Sequence, residues 1–447
     1  MGSLEQYLQL YTAESQRIAS GSCAPLNALR EQQYSLLAER GLPTLRHEEY
    51  RYTDIQSMFA PDYGVNLNRA VPAINPYKTY RCAVPNLSTW LYFVVNDVVM
   101  PSQGNVAQLP EGVFVGSICQ MEAKNPDFIA KFYHSAAGKN FDAITALNTL
   151  LVQDGILVYV PKDTLLKRPI QIVNVSTAKH DLMVNRRIMV VLEEDANGSV
   201  LLCDHAEGTS QYLSTQVIEA LVAPHAHLDI YSIEETQKSN LRLSNLYVEQ
   251  GAHSDVSYTS VTLTNGKTRN RAEFRLLGEN AKVQARGAVM ANAEEFVDNY
   301  LLVDHAVPQC ESEMLYKYVL DGKSTAAFTG KVLVREGAQK TLSEQINANL
   351  LASPEARILT QPMLEIYADD VKCNHGSSIG KMDENALFYM RQRGIEEEEA
   401  RLLLQNAFVN EVISHIPMEQ LRDRLAHLID MRFRGELSPC QGCKMCR

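Results

Sequence analysis

The order of apolar and polar positions divides the chain into three kinds of stretch. From Trp90 to Tyr367, short runs rich in β-branched and aromatic residues, among them WLYFVVNDVVM, ILVYV, IQIVNV, RIMVVLE and SVLLC, are each closed by Asn, Asp, Gly or Pro. That is the pattern of short strands ended by turns. Before them, Leu4, Leu8 and Tyr11 fall on one helical stripe, and LNALREQQYSLLAER stops at Gly41, a helix terminator. The connector from Leu42 to about Pro85 is rich in Pro, Asn and Tyr, and its aromatics predict an ordered arm packed on its neighbours. After Gly380 the helical period returns. Asp383 is placed to cap a helix running to Arg393, Gly394 to end it, and Glu396 to Glu399 lie at the positive end of a second helix closed by Pro417. MEQLRDRLAHLIDMRFRG makes a third.

Inside the β-rich stretch a phrase returns: a polar or Gly residue, then Ala, then an apolar residue within a step or two, as in EDANGSV, PHAHLDI, EQGAHSDV, GENAKVQA, REGAQKTL and SPEARILT. With the Ala as marker, Ala226 to Ala252 is 26 residues, Ala252 to Ala281 is 29 and Ala338 to Ala356 is 18. Uneven recurrence in the ~20 to 50 residue range predicts a solenoid with loops of variable length, whose thin coils must stack to make a core. A β-sandwich is the rival arrangement. The expected organisation is a helical region and connector arm over 1–85, a β-helix over 86–380, a helical domain over 381–435 that caps the open coil, and a Cys-rich tail over 436–447.

Composition narrows the function. The chain has 447 residues, 45% hydrophobic and 21% charged, as in ordinary soluble proteins. Its net charge of −11, from 53 acidic against 42 basic residues, argues against nucleic acid as a partner. No apolar run approaches the ~20 residues of a membrane span, and the N-terminus MGSLEQYLQLYTAESQ lacks the form of a signal peptide, so no membrane partner and a cytoplasmic location are expected. Six of the nine cysteines are scattered singly, unlike a disulfide framework.

The candidate chemistry sits near the end of the β stretch. Met363 to Tyr367 alternate as a strand, Asp369 and Asp370 break it, and Cys373 and His375 follow at the exit. Side chains two apart in extended backbone point the same way, so this thiol and imidazole can reach one point, a geometry suited to a soft metal or an iron–sulfur cluster. The plainer alternative is a buried small hydrophobe beside a turn residue. On the second C-terminal helix Leu404, Phe408, Glu411 and His415 share a stripe, which places a carboxylate on a packing face. Glu411 then either pairs with a basic neighbour at the rim or faces a metal or a subunit interface. NGKT at 265–268 and DGKST at 321–325 mimic a P-loop ending, but the required earlier glycine is replaced by Val261 and Lys317, and both strings read as turns. Cys440, Cys443 and Cys446 have metal-ligand spacing but are three where four are usual.

KCNHGSSIG, followed by DENALFYMRQRGI and NAFVNEVI, resembles the C-terminal signature of the SufB/SufD family, the scaffold subunits of the Suf iron–sulfur assembly machinery. GLPTLRHEEYRYTDI, from Gly41 to Ile55, resembles the entry segment of the SufD branch. The SufB branch carries an essential cysteine after the FY of this motif, where this chain has Met390, a weak thioether. The resemblance implies a right-handed parallel β-helix flanked by helices and a non-catalytic role. It also implies pairing with a SufB-like subunit, a SufC-type ATPase docked on the C-terminal helices, and an iron–sulfur cluster held transiently between His375 and the partner's ligands. The SufB branch carries a functional glutamate in the helix that matches that of Glu411. A homodimer of isolated chains stays open, as do a carbohydrate-active β-helix enzyme and a purely structural solenoid.

Overall fold

A strand of about ten residues covers one face of its own turn and needs neighbours above and below to cover the rest. The computed structural model, which describes residues 2–71, 75–79, 87–101 and 108–437, meets that need with two parallel sheets wound into about eight coils. Alternate strands go to opposite sheets. One sheet has ten strands and ends at Lys372–Lys381; the other has nine and ends at Arg357–Ile366. The solenoid predicted from the returning phrase is therefore present, and no sandwich forms.

Between the sheets lies a core of Ile172, Ile188, Ile230, Val256, Val283 and Phe328 with many similar side chains. Each fully buried aliphatic side chain contributes about 1.5–3 kcal/mol. Register keeps like positions aligned: Ile230, Tyr258, Ala285, Met314, Gln345 and His375 stack in one inward column of successive strands.

The corners explain the repeat. Asp163, Asp195, His225, His253, Asn280, Gln309 and Lys340 all have positive φ and recur at roughly 30 residues, the length of one coil. Asp, Asn and His tolerate this conformation best among non-glycine residues. The backbone N–H of His225 bonds Ala252 O at 2.9 Å, and that of His253 bonds Glu279 O at 2.9 Å, so each corner is tied to the next. The uneven alanine spacing is a product of the marker. Ala226 and Ala281 follow the left-handed residue, Ala252 precedes it, and Ala338 and Ala356 stand at opposite corners of one coil. NGKT and DGKST lie at such corners.

On its outer side the nine-stranded sheet is covered by Ala143–Leu151, by the N-terminal helices Glu5–Ser20 and Arg30–Arg40, and by the connector arm. The arm is ordered where described: Arg269 lies 4.2 Å from the centre of the Tyr50 ring, and Arg271 forms an ion pair with Glu49. Two expectations are corrected. The stretch 86–380 is not continuous solenoid, because helices Ile118–Glu122, Pro126–Phe132 and Ala143–Leu151 interrupt it between its first strand, Trp90–Val95, and the run of strands that starts at Ile156. The C-terminal helices Glu384–Gln392, Glu397–Ser414 and Glu419–Phe433 do not cap the open coil. Val409, Val412, Ile413, Leu421, Leu425 and Ile429 instead pack on the outer face of the ten-stranded sheet, against Val261, Ala288, Leu315 and Val319. That face carries an apolar strip that the helices bury.

On the same outer face, ahead of the helices, His227 stands 3.3 Å from Asp229 and 3.6 Å from Asp255. Hydrogen bonds to Asp229 and then Asp255 raise its pKa to about 10, against ~6.5 in an unfolded chain. A raised folded pKa stabilises fully below pH ~6.5, and the contribution is lost as pH rises through about 10. The stability difference between the parent and His227→Asn, measured by urea unfolding, is expected to shrink steadily over that window. A difference independent of pH would refute the charged pair. The ring is 34% exposed, so screening keeps the effect small.

Candidate functional site

The two ends of the solenoid differ in how their edges are treated. At the N-terminal end the sheets finish in short antiparallel strands, Val98–Val99 and Phe114–Ser117. Short edges do not template pairing. At the other end both edge strands are ten residues long, and they expose Leu359, Ile366 and Ile379, with Tyr367 just beyond. A long, apolar, unpaired edge is a surface built for another strand.

Cys373 and His375 lie on this last strand, Lys372–Lys381, and not in the turn after the strands as their position beyond Asp369 and Asp370 suggested. The turn formers close the corner from Tyr367 to Val371, and the chain then runs extended for one more strand. Cys373 pairs in register with Ser343 and His375 with Gln345, both inward-facing and buried. Cys373 packs against the inner core, and burial pushes its thiol pKa up. His375, one inward position further along, has no coil above it among the described residues and is exposed.

Around them the interior changes character. Asn347 Oδ1 accepts from Asn349 at 2.7 Å, Thr360 at 2.8 Å and Ser377 at 3.4 Å, and Gln345 Nε2 donates to Gly330 O at 3.1 Å. Gln345 Oε1 is buried with no partner among the described residues. The end of the column is thus a polar, half-open floor carrying one thiol and one imidazole. A soft metal would find two ligands here and would need the others from outside.

Glu411 stands elsewhere. It lies on Glu397–Ser414, 55% exposed, and forms an ion pair with Lys317, whose ammonium also lies 4.5 Å from the centre of the Phe408 ring. Lys317 belongs to Glu311–Leu320, two strands back from the edge. The helix buries Ala400, Val409, Val412 and Ile413, with Leu404 and Phe408 partly covered, so Glu411 and His415 sit at the rim of the packing stripe. Among the described residues no three His, Cys, Asp or Glu side chains are grouped to hold a metal ion. Met390 lies on Glu384–Gln392, outside the edge strand, and Cys440, Cys443 and Cys446 lie outside the described residues.

Sequence reasoning missed the exposed edge itself. The signal was present in Leu359, Ile366 and Ile379 at the last repeats, but their exposure depends on whether the helices that follow cap the coil or fold back beside it. Among the described residues no helix is long and apolar enough to cross a membrane.

Comparison with known proteins gives the arrangement a family. The family model described as the SUF system FeS cluster assembly SufBD core domain matches residues 174–408, and that of the SufBD protein N-terminal region matches 1–172. An iron–sulfur cluster assembly SufBD family protein of Synechocystis is 27% identical over 89% of both chains. The iron–sulfur cluster assembly protein SufD of Escherichia coli is 26% identical over 97% of both, and that of Bacillus subtilis is 24% identical over 72% of this chain and 75% of its own. Matched over its solenoid and its N-terminal region alike, the chain belongs to the SufBD family of iron–sulfur cluster assembly proteins.

Proposed function

We propose that this chain is a non-catalytic scaffold subunit that builds an iron–sulfur cluster jointly with a second, SufB-like solenoid joined at its open end. The observation that carries this reading is the last coil: an unpaired edge with exposed apolar side chains, and beside it His375 and Cys373 on a polar floor. The nascent cluster is cargo. His375, exposed and inward-facing, is the ligand this chain offers, with Cys373 as a second thiol nearby and the remaining ligands supplied by the partner. Glu411 has a cation of its own in Lys317 and acts first to hold its helix on the sheet.

A SufC-type ATPase fits the C-terminal helices. Phe388 and Tyr389 are 62% and 59% exposed on Glu384–Gln392, and Leu403 is exposed on the next helix. Deleting the helices would bare the apolar face of the ten-stranded sheet, so point changes are the better test. Co-expression with SufB-like and SufC-type subunits, followed by affinity capture, separates the two surfaces. Leu359→Lys with Ile379→Lys puts charge on the edge and is expected to cut capture of the SufB-like subunit, and any homodimer, at least tenfold while retaining the ATPase. Phe388→Asp with Tyr389→Asp is expected to do the reverse. If the edge variant still captures the SufB-like subunit, the open end is not the pairing surface.

A further inference from the structure

Gln345 lies on Leu342–Leu351, the strand beneath the open edge, and its side chain is fully buried in the inward column. Its amide reaches across the interior to the other sheet, where Nε2 donates to Gly330 O, on Thr325–Val334, at 3.1 Å. The glycine makes room for it: a Cβ on Gly330 would lie 2.2 Å from Gln345 Nε2 and 2.8 Å from its Cδ. Because a carbonyl oxygen only accepts, this bond fixes which end of the amide is nitrogen. The other end, Oε1, is buried and has no hydrogen-bond partner among the described residues.

A buried acceptor without a donor costs stability. The stacking of the coils shows where a donor stands. Met314 is in register below Gln345, and its thioether carries no polar hydrogen. Asn347, the next inward residue along the strand, already donates through Nδ2 to Tyr316 O at 3.2 Å. In the last coil Pro362 is in register above Gly330 and has no N–H. His375 is in register directly above Gln345, on the same inward face and about 4.8 Å further along the stack. Its ring is exposed, so packing does not fix its orientation.

We propose that Gln345 is the positioning residue of His375: its Oε1 accepts the ring N–H of His375 when the imidazole binds iron. The inference rests on the reading of His375 as the ligand this chain offers. A neutral imidazole has one N–H and one lone pair. With the N–H on Oε1, the ring is held in a single tautomer and the lone pair of the other nitrogen faces away from the polar floor, toward the open end. A histidine ligand whose second nitrogen donates to a carbonyl is also a more basic ligand. Gly330 acts one step further back, by leaving the space in which the Gln345 amide is pinned.

The test uses the full chain in complex with the SufB-like and SufC-type subunits, loaded anaerobically with iron and sulfide, and follows loss of the cluster to a ferrous chelator. Gln345→Leu, which keeps the bulk and removes the acceptor, is expected to speed that loss about tenfold or more while pairing with the SufB-like subunit is retained. Gly330→Ala, which displaces the amide without altering either Gln345 or His375, is expected to speed it in the same direction. In a His375→Ala background Gln345→Leu should add nothing, because the residue acts through the imidazole. Pulsed EPR of the reduced cluster in 15N-histidine-labelled protein should show a changed nitrogen coupling in Gln345→Leu. A tenfold effect that persists in the His375→Ala background, or an unchanged coupling and loss rate in Gln345→Leu, would overturn the inference and show that a water or a purely structural role satisfies Oε1. Normal loading of His375→Ala itself would instead overturn the ligand reading, and this inference with it.

Discussion

Replacing His375 by Ala is expected to leave the chain folded and paired but to lower the cluster content of the complex at least tenfold. The side chain is exposed at the end of its column, so little packing is lost, and stability should change by no more than about 0.5 kcal/mol. What is lost is an imidazole at a place where this chain offers few other ligands. Cluster iron usually takes four protein ligands, and the only neighbour of suitable type on the strand is Cys373, whose thiol burial keeps protonated more strongly than usual. Iron and acid-labile sulfide per complex, measured after anaerobic reconstitution with the SufB-like subunit and the ATPase, read the effect. Normal cluster content would remove His375 from the site. Glu411→Gln is the companion experiment. It should leave cluster content unchanged and only loosen the helix on the sheet; a loss of cluster with the helix still docked would make Glu411 a ligand after all.

The second large effect is on stability and comes from a wholly buried ion pair. Arg187 Nη2 lies 2.6 Å from Glu219 Oε2, and neither side chain is exposed to solvent. Glu219 also accepts from the backbone N–H groups of His134 at 3.0 Å, Ala136 at 3.2 Å and Ala137 at 3.1 Å, so one carboxylate anchors a loop whose His134 has positive φ. Arg187 donates to His134 Nδ1 at 3.2 Å; burial first, and then the Arg187 charge, depress the His134 pKa to about 4. That ring is therefore neutral at pH 7, with Nδ1 as the acceptor.

Glu219→Ala strands a buried guanidinium and three N–H groups, and a loss of about 3–5 kcal/mol is expected in urea unfolding. Replacing both partners, Arg187→Met with Glu219→Leu, should recover part of that loss, because two desolvated charges are removed together. A loss below about 1 kcal/mol in the single variant would show that water reaches the site.

How legible this protein was in its sequence differs from element to element. The terminal helices could be placed because their signals are local: Gly41 has positive φ at the end of Arg30–Arg40, and the Asp383 side chain accepts from the N–H groups of Asn385 and Ala386. The returning phrase was legible for a similar reason. A left-handed corner at every coil demands Asp, Asn, His or a neighbouring small residue, and that demand leaves a period. The interruption over 118–151 was not foreseen. Ala143–Leu151 is buried on all sides, its polar Thr145, Asn148 and Thr149 included, and so short a buried run is hard to assign to helix or strand from the pattern of residues.

The candidate site shows the same division. That Cys373 and His375 share a face followed from the two-residue period of extended backbone, whether the segment was an exit turn or a strand. The sequence by itself determined the coil, the helix ends, and the pairing of this thiol with this imidazole, since each depends on residues close together in the chain. Only the tertiary structure decided that the C-terminal helices lie beside the ten-stranded sheet and leave the last coil open, and that Glu411 meets Lys317. Those outcomes depend on which apolar surface a whole helix buries and on which coils stand opposite one another. They are set by the free energy of burying area between segments distant in sequence, which no local pattern encodes.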